Sequence, residues 1–125
     1  MVDWSAGSQA TYPTARWRVS EVGAVIARYV DWLHQHGFTQ FSRVNLIGHS
    51  LGSHVAGHAG KDVTLGRINA IFGTDPAGDS LFDYNDPTTR LAADDAFYTE
   101  AIVTNTGIVF DGAIAHANFY PVSSF

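Results

Sequence analysis

The chain has 125 residues, of which 46% are hydrophobic, 15% charged and 13% aromatic, the make-up of one ordinary globular domain with room for a single core. A formal net charge of −5 with no block of lysine or arginine argues against a nucleic-acid or anionic-membrane binder. No apolar run reaches the length of a membrane span, and the absence of cysteine excludes disulfides and thiol chemistry.

Taken in chain order, Val2 to Pro13 reads as a polar loop, and Met1 running straight into Val2-Asp3-Trp4 shows no signal peptide and reads as mid-protein sequence. Thr14 is a candidate cap for a helix carrying Val19, Val22, Val25, Ile26, Tyr29, Val30 and Leu33 at spacings of three and four. Gly37 stops it. Arg43 to Ile47 reads as a short buried strand, followed by a helix from Leu51 to about Ala59 that is rich in small residues. Glycine inside a helix costs about 1 kcal/mol relative to alanine, so Gly57 and Gly60 signal close packing against a sheet. Arg67 to Phe72 reads as a second buried strand, Asp79 to Asp95 as a long acidic loop and Phe97 to Thr104 as a further strand. Strands alternating with helices predict an α/β fold, a mostly parallel sheet flanked by helices, in one domain over residues 1–125.

Gly48-His49-Ser50-Leu51-Gly52 lies where the first strand turns at once into a helix. G-x-S-x-G in that setting is a nucleophile elbow: the turn is tight enough to strain the serine backbone, and flanking glycines avoid side-chain clashes. Ser50 is thus the candidate nucleophile. Asp75 stands at the carboxyl end of a strand, where open α/β sheets gather their sites. It lies 25 residues after Ser50, about one strand–helix unit, so its strand should neighbour the one carrying the elbow. A carboxylate there can orient a histidine; equally, an aspartate before proline is a common turn device.

Attack by Ser50 on a substrate carbonyl needs a histidine base, and after Asp75 the sequence has only His116. His54 and His58 share one helix face at the spacing of a two-histidine metal site, but no glutamate follows His54 and no third ligand is evident, so packing is the better reading. His34 and His36 close a helix, and His49 shapes the elbow. Trp4, Trp17, Trp32, Phe38 and Phe41 read as core and packing residues.

Val2-Asp3-Trp4-Ser5, Gly48-His49-Ser50-Leu51-Gly52, His54-Val55-Ala56-Gly57, Asp75-Pro76-Ala77-Gly78, Asp94-Asp95-Ala96, Thr104-Asn105-Thr106-Gly107 and His116 with Phe119-Tyr120-Pro121 together resemble the pancreatic-type lipases, particularly their insect members. The resemblance implies an α/β-hydrolase core and a secreted, cofactor-free enzyme cleaving ester bonds of triacylglycerols or phospholipids. It implies Ser50 as nucleophile, Asp75 as triad acid and the Leu51 N–H as one half of the oxyanion hole. In that family the segment similar to His116–Pro121 lies upstream of the catalytic histidine, which falls beyond Phe125, and the second oxyanion donor falls before Val2. The expectation is therefore a truncated central piece of a lipase, a partial core, close to inert alone. Its open sheet edge and uncovered apolar face predict self-association. The alternative is a non-catalytic lipid-binding or yolk-type relative, against which the intact Ser50 and Asp75 count. Thr74, Asp79 and Val103 depart from the family pattern and bear on substrate preference rather than reaction class.

Overall fold

In a computed structural model, which describes residues 1–8, 11–78, 82–104 and 112–121, the chain builds a four-stranded sheet whose strands all run parallel. The strands are β1 (Asn45–His49), β2 (Ala70–Thr74), β3 (Tyr98–Ile102) and β4 (Ala117–Phe119), and their order in space is their order in the chain. Helices α1 (Ser5–Ser8), α2 (Tyr12–Trp17) and α3 (Val19–Gln35) precede the sheet, and α4 (Leu51–Asp62) joins β1 to β2. This is the expected α/β class, a parallel sheet with helices. Among the described residues no helix is long and apolar enough to cross a membrane.

The first 37 residues depart most from expectation. The stretch read as a loop holds α1 and the first two residues of α2, and the single helix expected from Thr14 is interrupted at Arg18, where α2 gives way to α3. Pro13, in the first turn of α2, is tolerated because that turn has no donor to lose. Gly37 does stop α3. Its φ of +74° lets its N–H reach the His34 carbonyl (3.0 Å) while Phe38 N–H reaches Leu33 (2.9 Å), a Schellman closure.

The face α3 buries is also narrower than its apolar spacing suggests. Val19, Gly23, Ala27 and Val30 are buried, whereas Val25 and Tyr29 are more than half exposed. Small residues win because α3 lies directly on α4. A Cβ at Gly23 would come within 3.0 Å of the Val55 carbonyl and the Ala59 nitrogen. Of the aromatics expected inside, Phe41 is buried and Trp4 is half-buried against the core, whereas Trp17, Trp32 and Phe38 are exposed, with Trp32 stacked on Phe38 at 5.6 Å.

Helix α4 runs three residues further than expected and carries the close approach that its glycines signal. A Cβ at Gly57 would lie 2.8 Å from the Leu91 Cα, and one at Gly60 would fall onto the Asp95 carbonyl. The small-residue stripe therefore seats the end of the long loop, as well as the sheet. Lys61 fastens it, donating to the Arg90 carbonyl (2.8 Å) and to the buried Asp95 carboxylate (2.5 Å).

Sheet alternation divides the strands cleanly. Leu46, Ile71 and Thr99 form one row facing α4, and Gly48, Gly73 and Ala101 the next. The opposite face carries Ile47 (78% exposed), Tyr98 and Phe119, with Phe72 between them. Burying one such side chain is worth about 1.5–3 kcal/mol. The isolated chain is accordingly expected to self-associate in sedimentation velocity as concentration rises, with Ile47→Lys shifting it towards monomer. A wild-type chain monomeric throughout the micromolar range would contradict this.

Candidate active site

The turn from β1 into α4 forces Ser50 into a backbone conformation that non-glycine residues rarely adopt, φ 53° and ψ −120°. Such a residue stores about 1–3 kcal/mol and persists only when its surroundings over-determine it. Here they do. The Ser50 N–H donates to the Thr74 carbonyl (2.9 Å), and its carbonyl accepts from Ser53 (3.1 Å) and Ala77 (3.4 Å). The Ser53 hydroxyl donates to the Gly48 carbonyl at 3.0 Å and approaches Thr74 at 3.3 Å. The elbow is thus pinned to the end of β2 by backbone bonds.

Its two glycines are not equivalent. A Cβ at Gly48 would collide with the Gly52 carbonyl group and the Ser53 nitrogen (2.6 Å), so only glycine fits. A Cβ at Gly52 meets none of the described atoms within 4 Å. The expectation that both glycines relieve clashes holds for the first alone.

Asp75 follows β2 directly, at the same carboxyl edge as Ser50, and β1 and β2 are neighbours as their spacing implied. It too has positive φ, 44°. Its N–H donates to the Ile102 carbonyl (2.7 Å), and its carboxylate accepts from the Thr104 N–H (2.6 Å) and hydroxyl (2.7 Å). The carboxylate therefore reaches across to Thr104, just past the end of β3. The sequence singled out Thr104 only as the first residue of the Thr104–Gly107 run that resembles the lipases; nothing in it pointed from Thr104 to Asp75.

All six histidines have their contacts elsewhere. His116 precedes β4 and accepts from the Thr99 N–H (3.1 Å) through Nδ1. Thr99 lies three residues before Ile102 on β3, so at about 3.3 Å per residue His116 sits roughly 10 Å from the Asp75 edge. Sequence order offered His116 as a base; the topology puts it towards the wrong end of the strands. His54 is fully buried, its Nε2 donating to the Ala77 carbonyl (2.7 Å) while Nδ1 accepts from Leu91 N–H (3.0 Å), with Phe82 stacked at 4.0 Å. Both ring nitrogens serve backbone, which is a packing role. His49 bonds Thr74, His36 bonds the Trp32 carbonyl and His34 packs on Phe41. Among the described residues no group of three or more metal-ligating side chains gathers.

His58 approaches the Thr89 carbonyl (3.4 Å), and burial, with the Lys61 charge adding to it, holds its pKa below the ordinary 6.5. The folded chain then binds fewer protons than the unfolded one just below that value, so stability rises with pH there and is lost on acidification. In urea unfolding, the wild-type midpoint should fall more than that of His58→Gln between neutral pH and about pH 5. Parallel pH dependences for the two would refute the buried, neutral His58.

Leu51 opens α4, so its N–H is among the helix's first four without an intrahelical partner, at the positive end of the dipole. Beside it, a cleft of about 770 Å³ runs from Ser50 along the outer edge of β1, walled by Val2, Trp4, Ile26, Ile47 and Val55.

A parallel sheet whose first strand turns through a strained serine into a helix, with an aspartate ending the next strand, is a partial α/β-hydrolase core. Comparison with known proteins narrows the class. A family model described as Lipase matches residues 1–123. Pancreatic triacylglycerol lipase of Mus musculus is 39% identical over 127 residues, covering 96% of this chain and 27% of that protein. Lipoprotein lipase of Homo sapiens is 34% identical over 127 residues, covering 97% and 26%. Pancreatic triacylglycerol lipase of Myocastor coypus is 41% identical over 128 residues, covering 96% and 27%. The chain belongs to the lipase family, and it spans about a quarter of the length of the curated relatives it matches.

Proposed function

We propose that this chain carries the nucleophile and the acid of an extracellular carboxylic-ester hydrolase acting on acylglycerols. Ser50 attacks the ester carbonyl, the Leu51 N–H meets the developing oxyanion, and Asp75 orients and stabilises the histidine that takes the serine's proton. The observation that supports this most is the strained Ser50 at the β1–α4 turn, with Asp75 held at the end of the neighbouring strand. With all six histidines engaged elsewhere, the base is proposed to come from sequence outside residues 1–125. Losing a triad histidine costs about 10⁶-fold in turnover. A missing oxyanion donor costs about 10²–10³-fold more. Hydrolysis then belongs to the longer protein, and the 125-residue chain alone is close to inert.

A fluorophosphonate probe tests the reading. In the longer protein it should attach at Ser50 and fail with Ser50→Ala. Tributyrin and phosphatidylcholine, offered separately, distinguish an acylglycerol hydrolase from a phospholipase. No capture and no hydrolysis of either would favour a lipid-binding relative without catalysis.

A further inference from the structure

We propose that Thr104 is a positioning residue that sets the orientation of the Asp75 carboxylate; this rests on Asp75 being the triad acid. Three hydrogen bonds run between Asp75 and the end of β3, and two of them come from Thr104 alone. Its N–H donates to Oδ1 at 2.6 Å and its hydroxyl to Oδ2 at 2.7 Å. Bonds to an ionised acceptor are the short, strong ones. The terminal torsion of an aspartate is soft, with broad, roughly two-fold wells. Two donors from one residue, one for each oxygen, remove that freedom.

Asp75 also stands at φ 44°, a conformation that must be imposed from outside. The Ile102 carbonyl fixes its backbone and Thr104 fixes its side chain, so the end of β3 sets both ends of the residue. A carboxylate has about four lone-pair sites, and a two-bond clamp is compatible with accepting a histidine N–H as well. A triad acid works by holding the imidazole in one tautomer and one direction. A misplacement of about 1 Å in such a site can cost 10²-fold in rate. Thr104 touches neither substrate nor nucleophile in this account; it acts through Asp75.

The test compares wild type, Thr104→Val, which keeps the N–H and the β-branch but loses the hydroxyl, and Thr104→Ser, which keeps both donors. In the longer protein, Thr104→Val should lower kcat roughly 10–100-fold with KM unmoved. Thr104→Ser should restore most of the rate. In the 125-residue chain, the ¹³C resonance of the Asp75 carboxylate, assigned by its loss in Asp75→Asn, should move in Thr104→Val and return in Thr104→Ser. If Thr104→Val does not fold, Thr104→Ala is read in the same way. A valine variant that melts earlier but keeps its kcat and its Asp75 resonance would show a structural role only and overturn the proposal. A wild-type protein that hydrolyses no ester would sink the hydrolase reading instead. The carboxylate resonance would then decide the clamp, unmoved in Thr104→Val counting against it and moved counting for it.

Discussion

Ser50→Ala is expected to lower ester hydrolysis by the longer protein about 10⁶-fold, because the nucleophile and its base act as a unit and removing one forfeits both. Folding should survive, since the Ser50 backbone bonds to Thr74, Ser53 and Ala77 do not involve the hydroxyl. Ser50→Gly makes the sharper comparison. Glycine enters positive φ without steric cost, so it releases about 1–3 kcal/mol of stored strain. Against that stands the extra freedom of glycine in the unfolded chain, about 0.4–1 kcal/mol. A net gain of roughly 1 kcal/mol in urea unfolding, together with complete loss of hydrolysis, is the expected result. A less stable glycine variant would mean that the elbow stores no strain at Ser50.

Gly48→Ala is expected to destabilise the chain by about 3 kcal/mol or more, at the upper end of what overpacking costs. Its Cβ would meet the backbone of Gly52 and Ser53, and backbone cannot swing aside as a side chain can. Of a total stability near 5–15 kcal/mol, that is enough to empty much of the folded state in a partial core. Gly52→Ala is the control. It sits in the first turn of α4 with no described neighbour within 4 Å, so the change should lie within about 1 kcal/mol and lean towards stabilisation. Equal losses at both glycines in urea unfolding would contradict the asymmetric elbow.

Local patterns were good guides wherever one short segment carries its own reason. The β1–α4 turn announces itself through the Gly48–Gly52 run, and Gly37 ends α3 because only positive φ closes that helix. Asp75 could be placed at a strand end from Pro76 and the apolar run before it, and the parallel pairing of β1 with β2 followed from the length between them. The small residues of α4 announced close packing, although not that their partner includes the loop at Leu91–Asp95. The ends were less legible. α2 and α3 part at Arg18 with no breaker residue, and β4 is three residues long, held by its pairing with β3.

Residue type and spacing along the chain thus determined the α/β class, the strained serine and the presence of an acid one strand away, because each follows from backbone sterics and hydrophobic periodicity within a single segment. Contacts between segments far apart in sequence decided the rest. Whether His116 could serve as a base depended on which end of β4 it occupies, and parallel pairing with β3 puts it beside Thr99. What holds the Asp75 carboxylate depended on where β3 ends, because Thr104, two residues past that end, lies against both oxygens. Both are properties of register, which comes from the pairing of whole strands and is carried by no residue alone.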